Sequence, residues 1–436
     1  MQEKLNLISE RAKNEKDCKF NNLIHLLCKE SLTDCFEELN RKSAIGTDGV
    51  SVAEYGKDLS ANLDNLLARM KELSYRPKAV RRVLIPKLNG KMRPLGIPST
   101  EDKIVQLALT KILTAIYEED FIDNSYGFRP GMSCHDALKH LNHIITSKPV
   151  SYVIDADIKG FFDHVDHNWL VKFLQHRISD RKFVGYVEKF LKAGIMEDGK
   201  YYDTEEGTPQ GGILSPVLAN IYLHYVLDLW VEIAVKRKCT GYVEIIRYAD
   251  DFIICVQRRD EAEQILTDLK KRLEKFGLEL SEEKTRLIKF GRFSKKDADK
   301  KGERPATFNF LGFTHFVSLS LAGKFKVGRT TERKKFAVKV KEMNIWLKSN
   351  RNILDLKSLW KIFCSKLRGH FQYYGVSENM LGIRKFYYKS KDLLFKWVNR
   401  RSQKKSFNWQ EFTIYIEKYK IPKPTIKHSF YFRYST

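Results

Sequence analysis

Asp250 and Asp251 stand side by side in "RYADDFIICV", a run that otherwise reads as a buried strand, with Ile245 and Ile246 before them and Phe252 to Val256 after. An ionised carboxylate among apolar neighbours costs several kcal/mol unless it is paired or bound to metal. A second acid-bearing apolar segment, "SYVIDADIKGFFDHV", carries Asp155, Asp157 and Asp163. Alternate residues of a strand share a face, so Asp155 and Asp157 point the same way. If "YADD" makes a tight hairpin turn beside the end of that strand, Asp157 converges with Asp250 and Asp251. Three converging carboxylates repel one another unless divalent cations lie between them. That is the donor set of a two-metal phosphoryl-transfer site, with ions about 3.5–4 Å apart. Oxygen-only ligands favour Mg²⁺. Taken alone, an Asp-Asp pair reads as a surface turn; the second acid strand weakens that reading here.

The elements that must position these acids are legible in outline. "RRVLIPKLNGKMRPLGIP" predicts two short strands joined by a turn at Asn89-Gly90. "STEDKIVQLALTKILTAIYEE" predicts a helix capped by Ser99 or Thr100. The first 40 residues carry helical apolar spacing, at Leu23, Ile24, Leu26 and Leu27 and again at Phe36 and Leu39. Gly46 and Gly49 punctuate a loop after them. The two acid strands are separated by mostly helical pattern. Beyond "ATFNFLGFTHF" the chain turns basic and helical, with a compositional boundary near 318–330.

Charge separates the chain more sharply than pattern does. The net charge is +24 over 436 residues. Residues 285–436 hold 36 Lys and Arg against 10 Asp and Glu, whereas residues 1–284 hold 42 against 44. A basic surface concentrated in one third of a chain is the footprint of a polyanion partner. A solvated basic face would serve solubility alone, but rings interleave with the charge in "FQYYGV", "RKFYYKSKDLLFKWVNRRS" and "HSFYFRY". Cations beside flat rings suit phosphates and bases, although some of these rings must also pack helices. The seven cysteines are odd in number and include no C-x-x-C pair. They read as free thiols of a reducing cytoplasm. No run of 18 apolar residues suggests a membrane span, and the charged N-terminus does not resemble a secretory signal.

Taken in order, "SAIGTDGVS", "IPKLNGKMRPLGIPSTEDKIVQ", "YGFRPGMSCHDAL", "DADIKGFFDHVDH", "GTPQGGILSPVLANIYLHYVLD", "RYADDFII", "LELSEEKTRLIKFG" and "FNFLGF" resemble the motifs of group II intron-encoded reverse transcriptases. "KLRGHFQYYG" and "FKWVNRRSQKKSF" resemble that family's X, or thumb and maturase, region. The resemblance implies an α+β right-hand polymerase, with fingers and palm built on a small antiparallel sheet and followed by an α-helical thumb/X domain. It implies three segments: 1–75 as an N-terminal extension with the first fingers motif, 76–320 as fingers and palm, and 321–436 as thumb/X domain with a short basic tail.

It also implies roles. Asp157 and Asp250 would hold two Mg²⁺ ions, with Mn²⁺ as a substitute; Asp251 and the carbonyl of Ile158 would complete the set. Lys87 and Arg93 of the fingers hairpin, with Arg81 alongside, would meet the triphosphate of an incoming dNTP. Phe162 would stand beneath the sugar and exclude a ribose 2′-OH, and Gln210 would line the nucleotide and template pocket. "FNFLGF" would grip the primer, Tyr248 and Ala249 would border its terminus, and Lys284 would either protonate the leaving pyrophosphate or be a surface lysine. Asp155 and Asp163 read as structural acids, and His164 and His167 as polar loop residues. Arg400, Arg401, Lys404 and Lys405 form a basic cluster for RNA.

The implied activity is RNA-directed DNA polymerisation, joined to binding of the intron RNA and assistance to its splicing and mobility. The partners would be intron RNA, an RNA template, a DNA or RNA primer and dNTPs, with no membrane. After "IPKPTIKHSFYFRYST" no paired cysteines follow, which resembles the endonuclease-lacking lineages. A reverse transcriptase domesticated for defence or DNA repair, or a maturase that only assists splicing, would share most of these features. Loss of an acid would mark the last, and every acid is present.

Overall fold

The computed structural model describes residues 1–86, 92–209, 211–401 and 406–431. Lys87, Asn89, Gly90, Gln210, Lys404 and Lys405 lie outside the described residues. Eleven strands are found among them: β1 (Val80–Pro86), β2 (Met92–Ile97), β3 (Tyr152–Asp157), β4 (Ile195–Glu197), β5 (Lys200–Tyr202), β6 (Val243–Tyr248), β7 (Asp251–Val256), β8 (Arg286–Lys289), β9 (Phe308–Phe310), β10 (Phe313–Leu319) and β11 (Phe325–Thr331). They form three small sheets, ordered β2-β1-β4-β5, β6-β7-β3-β8 and β11-β10-β9. The chain divides into two compact units. One comprises 1–137, 156–254 and 260–286, the other 138–155, 255–259 and 287–436. The chain passes between them inside β3, β7 and β8, among other places.

In the first unit, β1 and β2 pair antiparallel from Arg81↔Ile97 to Pro86↔Met92; a two-residue turn at Asn89-Gly90 would instead pair Pro86 with Arg93, so the hairpin is as expected and its register differs by one residue. Sequence pattern did not anticipate what lies on the other edge of β1. There β4 pairs in parallel through Val80↔Ile195 and Arg81↔Met196, and β5 folds back on β4. The helix Thr100–Tyr117 is capped by Ser99, whose hydroxyl accepts from the Asp102 amide at 3.1 Å. It is nearly all buried, with Ile104, Val105, Ala108, Leu109, Ile112 and Leu113 in the core.

The helix opening at Ser215, with Pro216 in its first turn, continues through π-helical turns at His224–Asp228 and Trp230–Val235 to Lys238. By length and composition alone, Ser215–Lys238 could cross a membrane, which a search for unbroken apolar runs overlooks. Two thirds of its apolar window is buried within the protein, however, and it carries Asn220, His224 and Asp228 into the core. It is the core helix of this unit.

In the second unit, β10 pairs with β11 from Phe313↔Thr331 to Leu319↔Phe325, and the helices Arg333–Asn350, Leu356–Tyr374, Met380–Val398 and Trp409–Lys418 follow. The C-terminal segment is tied into this unit by a buried cation. Arg329, fully buried, donates Nη2 to Asn142 Oδ1 at 2.7 Å and stacks its guanidinium 4.8 Å from the centroid of Phe430. The Phe430 amide donates to Ser377 Oγ at 3.0 Å, and Val376 and His428 form a parallel bridge.

Candidate active site

Asp157 ends β3, and Asp250 lies in the two-residue connection between β6 and β7. The carboxyl of Asp250 is held above the usual carboxylate range, first by burial and then by the charge of Asp157 beside it. Its own backbone amide, Arg93 and Lys284 act in the opposite direction. Lys284 Nζ lies 2.7 Å from Asp157 Oδ2, both side chains remaining partly exposed. The two carboxylates and the two cations named by the sequence are therefore brought within electrostatic reach of one another. Asp251 opens β7 and is exposed. Among the described residues, no three His, Cys, Asp or Glu side chains close into a metal-binding cluster.

The residues still fit a hard divalent cation in their chemistry. Asp250 and Asp157 supply carboxylate oxygens, and the burial and neighbouring charge that raise the Asp250 carboxyl are what a divalent cation would offset. The backbone at Ile158 is suited to add another oxygen. Lys159 N donates to Glu279 O, and Ser281 N to Asp157 O, both at 2.8 Å. Ile158 and Leu280 are thus a non-hydrogen-bonded antiparallel pair, and the Ile158 carbonyl is directed away from Leu280.

What aims Asp250 is a set of groups that motif reading passed over. Ala249 takes the left-handed conformation, φ 56°, which an alanine adopts only under constraint. Arg247, fully buried on β6, donates Nη1 to the Ala249 carbonyl at 3.1 Å and to Asn220 Oδ1 at 2.9 Å. Its Nε and Nη2 reach Asp228 Oδ1 and Oδ2 at 2.7 and 2.5 Å, a bidentate pair in which both side chains are inaccessible to solvent. Asn220 Nδ2 in turn donates to the Gly127 carbonyl at 2.7 Å.

A Cβ on Gly127 would lie 2.2 Å from the Ala249 amide nitrogen, so only glycine allows the "YGFRP" backbone this close to the turn. Gly127→Ala should therefore push the turn away. The expected cost is about 1–3 kcal/mol in urea melts, with a loss of activity at the site exceeding the loss of folded protein. A sequence signal for this network did exist: Arg247 and Asp228 are lone charges in apolar runs, and such charges need internal partners.

Phe162 lines a cleft of about 290 Å³ together with Arg82, Pro94, Gly96, Thr208 and Pro209. Phe161 is core, buried and edge-on to Phe162 at 5.2 Å. Gly207 and Thr208 close on the Phe162 backbone. Thr208 N donates to Phe162 O at 2.7 Å, and a Cβ on Gly207 (φ 84°) would meet that same carbonyl at 2.9 Å. His167 Nε2 bonds the Gly207 carbonyl at 2.6 Å, a structural role for a residue that reads as a polar loop residue.

Strand alternation puts Arg81 and Arg93 on one face of the hairpin and Arg82 on the other. Arg81 Nε donates to the Ile45 carbonyl at 2.9 Å, and Arg82 pairs with Glu197 at 3.1 Å. In "FNFLGF", Phe308, Phe310 and Phe313 are buried core rings, which leaves the exposed Asn309 and the half-buried Leu311-Gly312 turn, with φ 48° and 78°, as its accessible part. Arg400 is exposed over the Trp397 ring, whereas Arg401 is half-buried and donates Nη2 to the Leu354 carbonyl at 2.9 Å.

Residues 85–315 match the model of the reverse transcriptase (RNA-dependent DNA polymerase) family. The group II intron-encoded protein LtrA of Lactococcus lactis subsp. cremoris is 32% identical over 454 aligned residues, which cover 88% of this chain and 75% of that protein. Protein YkfC of Escherichia coli K12 is 35% identical over 56% of this chain and 71% of its own length. Nuclear intron maturase 1, mitochondrial, of Arabidopsis thaliana is 33% identical over 22% of this chain and 13% of its own.

Proposed function

This chain belongs to the reverse transcriptase family in its group II intron-encoded branch, and on that footing we propose that Asp157, Asp250 and Asp251 form the catalytic carboxylate set of a right-hand polymerase. As a member of that branch it is an RNA-directed DNA polymerase that assists group II intron splicing and mobility. Reverse transcriptases use divalent metal ions. Two Mg²⁺, held by these acids and the Ile158 carbonyl and replaceable by Mn²⁺, would activate the primer 3′-OH and neutralise charge developing on the α-phosphate.

The observation that carries this reading is the β6–β7 turn, which puts Asp250 beside Asp157 with Arg93 and Lys284 acting on the same carboxyl. Arg93, Arg81 and Lys87 bring positive charge toward the dNTP triphosphate from the hairpin. Phe162 packs under the sugar, and Gln210 borders the base. The basic remainder of the chain acts as thumb/X domain, gripping template–primer and intron RNA. In cells the protein works in the cytoplasm.

The test is Mg²⁺-dependent extension of a DNA primer on an RNA template. No extension by pure protein on any primer–template would overturn the reading. The sugar filter has its own test: Phe162→Val should admit ribonucleotides, measured as the rNTP to dNTP ratio of kcat/KM, because only steric exclusion bars them. An unchanged ratio would assign the filter to another residue.

A further inference from the structure

The helix Met380–Val398 buries Ile383, Phe386, Leu394 and Trp397 on one side. On the other it carries Arg384, Lys385, Tyr388 and Lys391, at the three- and four-residue spacing that aligns them in a stripe. Tyr388 is 57% exposed. At the end of the stripe stands Trp409, 44% exposed, the first residue of the last helix. Its ring is fixed by Phe395, edge-on at 4.7 Å, and by Phe412 at 5.7 Å. Lys391 Nζ lies 4.9 Å from the Trp409 centroid and 6.0 Å from that of Tyr388. One ammonium thus bridges two rings that the fold leaves partly exposed at the surface.

We propose that Tyr388, Lys391 and Trp409 form a stacking site for unpaired bases of single-stranded RNA. Surface rings offer flat apolar faces on which an unstacked base can stack, and Lys391, between them, meets the phosphate linking two such bases. Charge decides the kind of occupant. Between 380 and 400 the cations Arg384, Lys385, Lys389, Lys391, Lys396 and Arg400 face a single acid, Asp392, which suits a polyanion and opposes an ordinary protein surface. A duplex presents phosphates but no free base faces, so it uses the cations of the stripe without the rings. This site deepens the nucleic-acid reading above and rests on it, adding the strandedness of the RNA bound.

The test is fluorescence anisotropy with a labelled, unstructured RNA strand and with the same strand annealed into a duplex. Tyr388→Leu/Trp409→Leu should weaken single-strand binding about tenfold or more, leave duplex binding unchanged, and leave the salt slope of both unchanged. Tyr388→Phe/Trp409→Phe should bind as wild type. Lys391→Gln should lower the single-strand log–log salt slope by about 0.7. Tyr388→Leu alone, at an exposed ring, tests the site in a protein whose melting temperature should match wild type.

Equal losses on strand and duplex, or no loss on the strand, as expected of a protein-docking face, would overturn the proposal. Extension of a preformed primer–template by the double leucine variant distinguishes the two readings. Retained extension with unaltered RNA binding defeats this site alone, whereas a wild-type protein that neither binds RNA nor extends primers defeats both.

Discussion

Asp250→Asn is expected to reduce primer extension by on the order of 10³-fold or more, equivalent to about 4 kcal/mol of transition-state stabilisation, while making the metal-free protein more stable. Both effects follow from the same placement. The carboxyl sits largely out of water beside Asp157, and its pKa is raised above the ordinary value by burial first and by Asp157 second. A carboxyl with a raised folded-state pKa is protonated more readily in the native state than in the unfolded one. Stability therefore falls as pH rises from the unfolded value, about 4, through the folded one, and the full cost is present at neutral pH.

Asparagine removes that cost. In EDTA the variant should melt above wild type at pH 7, and the difference should vanish below the unfolded pKa. Added Mg²⁺ should raise the melting temperature of wild type more than that of the variant, because only the wild type regains charge balance on binding. Substantial extension by Asp250→Asn would remove Asp250 from the catalytic set. A melting temperature below wild type at pH 7 in EDTA would show that the arginine and lysine outweigh the repulsion.

The second large effect lies behind the turn. Asp228 and Arg247 are both at 0% exposure, joined by two hydrogen bonds. Removing one partner leaves the other as an uncompensated buried charge, which costs about 3–5 kcal/mol. Asp228→Ala should therefore unfold at markedly lower urea concentration, with reduced soluble yield. Replacing both, as Asp228→Leu/Arg247→Met, should recover most of the stability, since a buried ion pair and a well-packed apolar pair are nearly equal in free energy.

Activity should not return with it. Arg247 also holds the carbonyls and amides that shape the turn, donating to Ala249 O and to Asn220. Without those bonds the left-handed Ala249 is no longer imposed, and Asp250 loses its aim. Urea melts and extension assays on the single and double variants separate the two roles. A double variant that is both stable and fully active would mean that the pair serves stability alone.

Much of the candidate site was legible before any coordinates. The two acid strands, the antiparallel arms of the hairpin bearing Arg93 and the cap at Ser99 are all local: a strand's alternation, two strand-like runs close in sequence and a hydroxyl before a helix are set by neighbouring residues. The charge asymmetry is a property of composition, and the order of motifs along the chain carried the family. The expectation that Asp157 and Asp250 converge belongs here too, since carboxylates beside apolar strands demand a partner wherever they fold, and the charge of Asp157 does act on the Asp250 carboxyl.

Tertiary structure decided what depends on residues distant in sequence. It paired β4 with β1, where strands too short to show a period meet a distant edge. It set Lys284 against Asp157 and made Phe308, Phe310 and Phe313 core rings, although a ring's burial cannot be read from its type. It engaged Arg401 with the Leu354 carbonyl but left Arg400 exposed, two adjacent arginines that composition cannot distinguish. Above all, it joined Asp228, Asn220 and Gly127 to Arg247 and the Ala249 turn. Those contacts are long-range and exist only once the core helix has packed, because a buried charge finds its counter-charge through space and not along the chain.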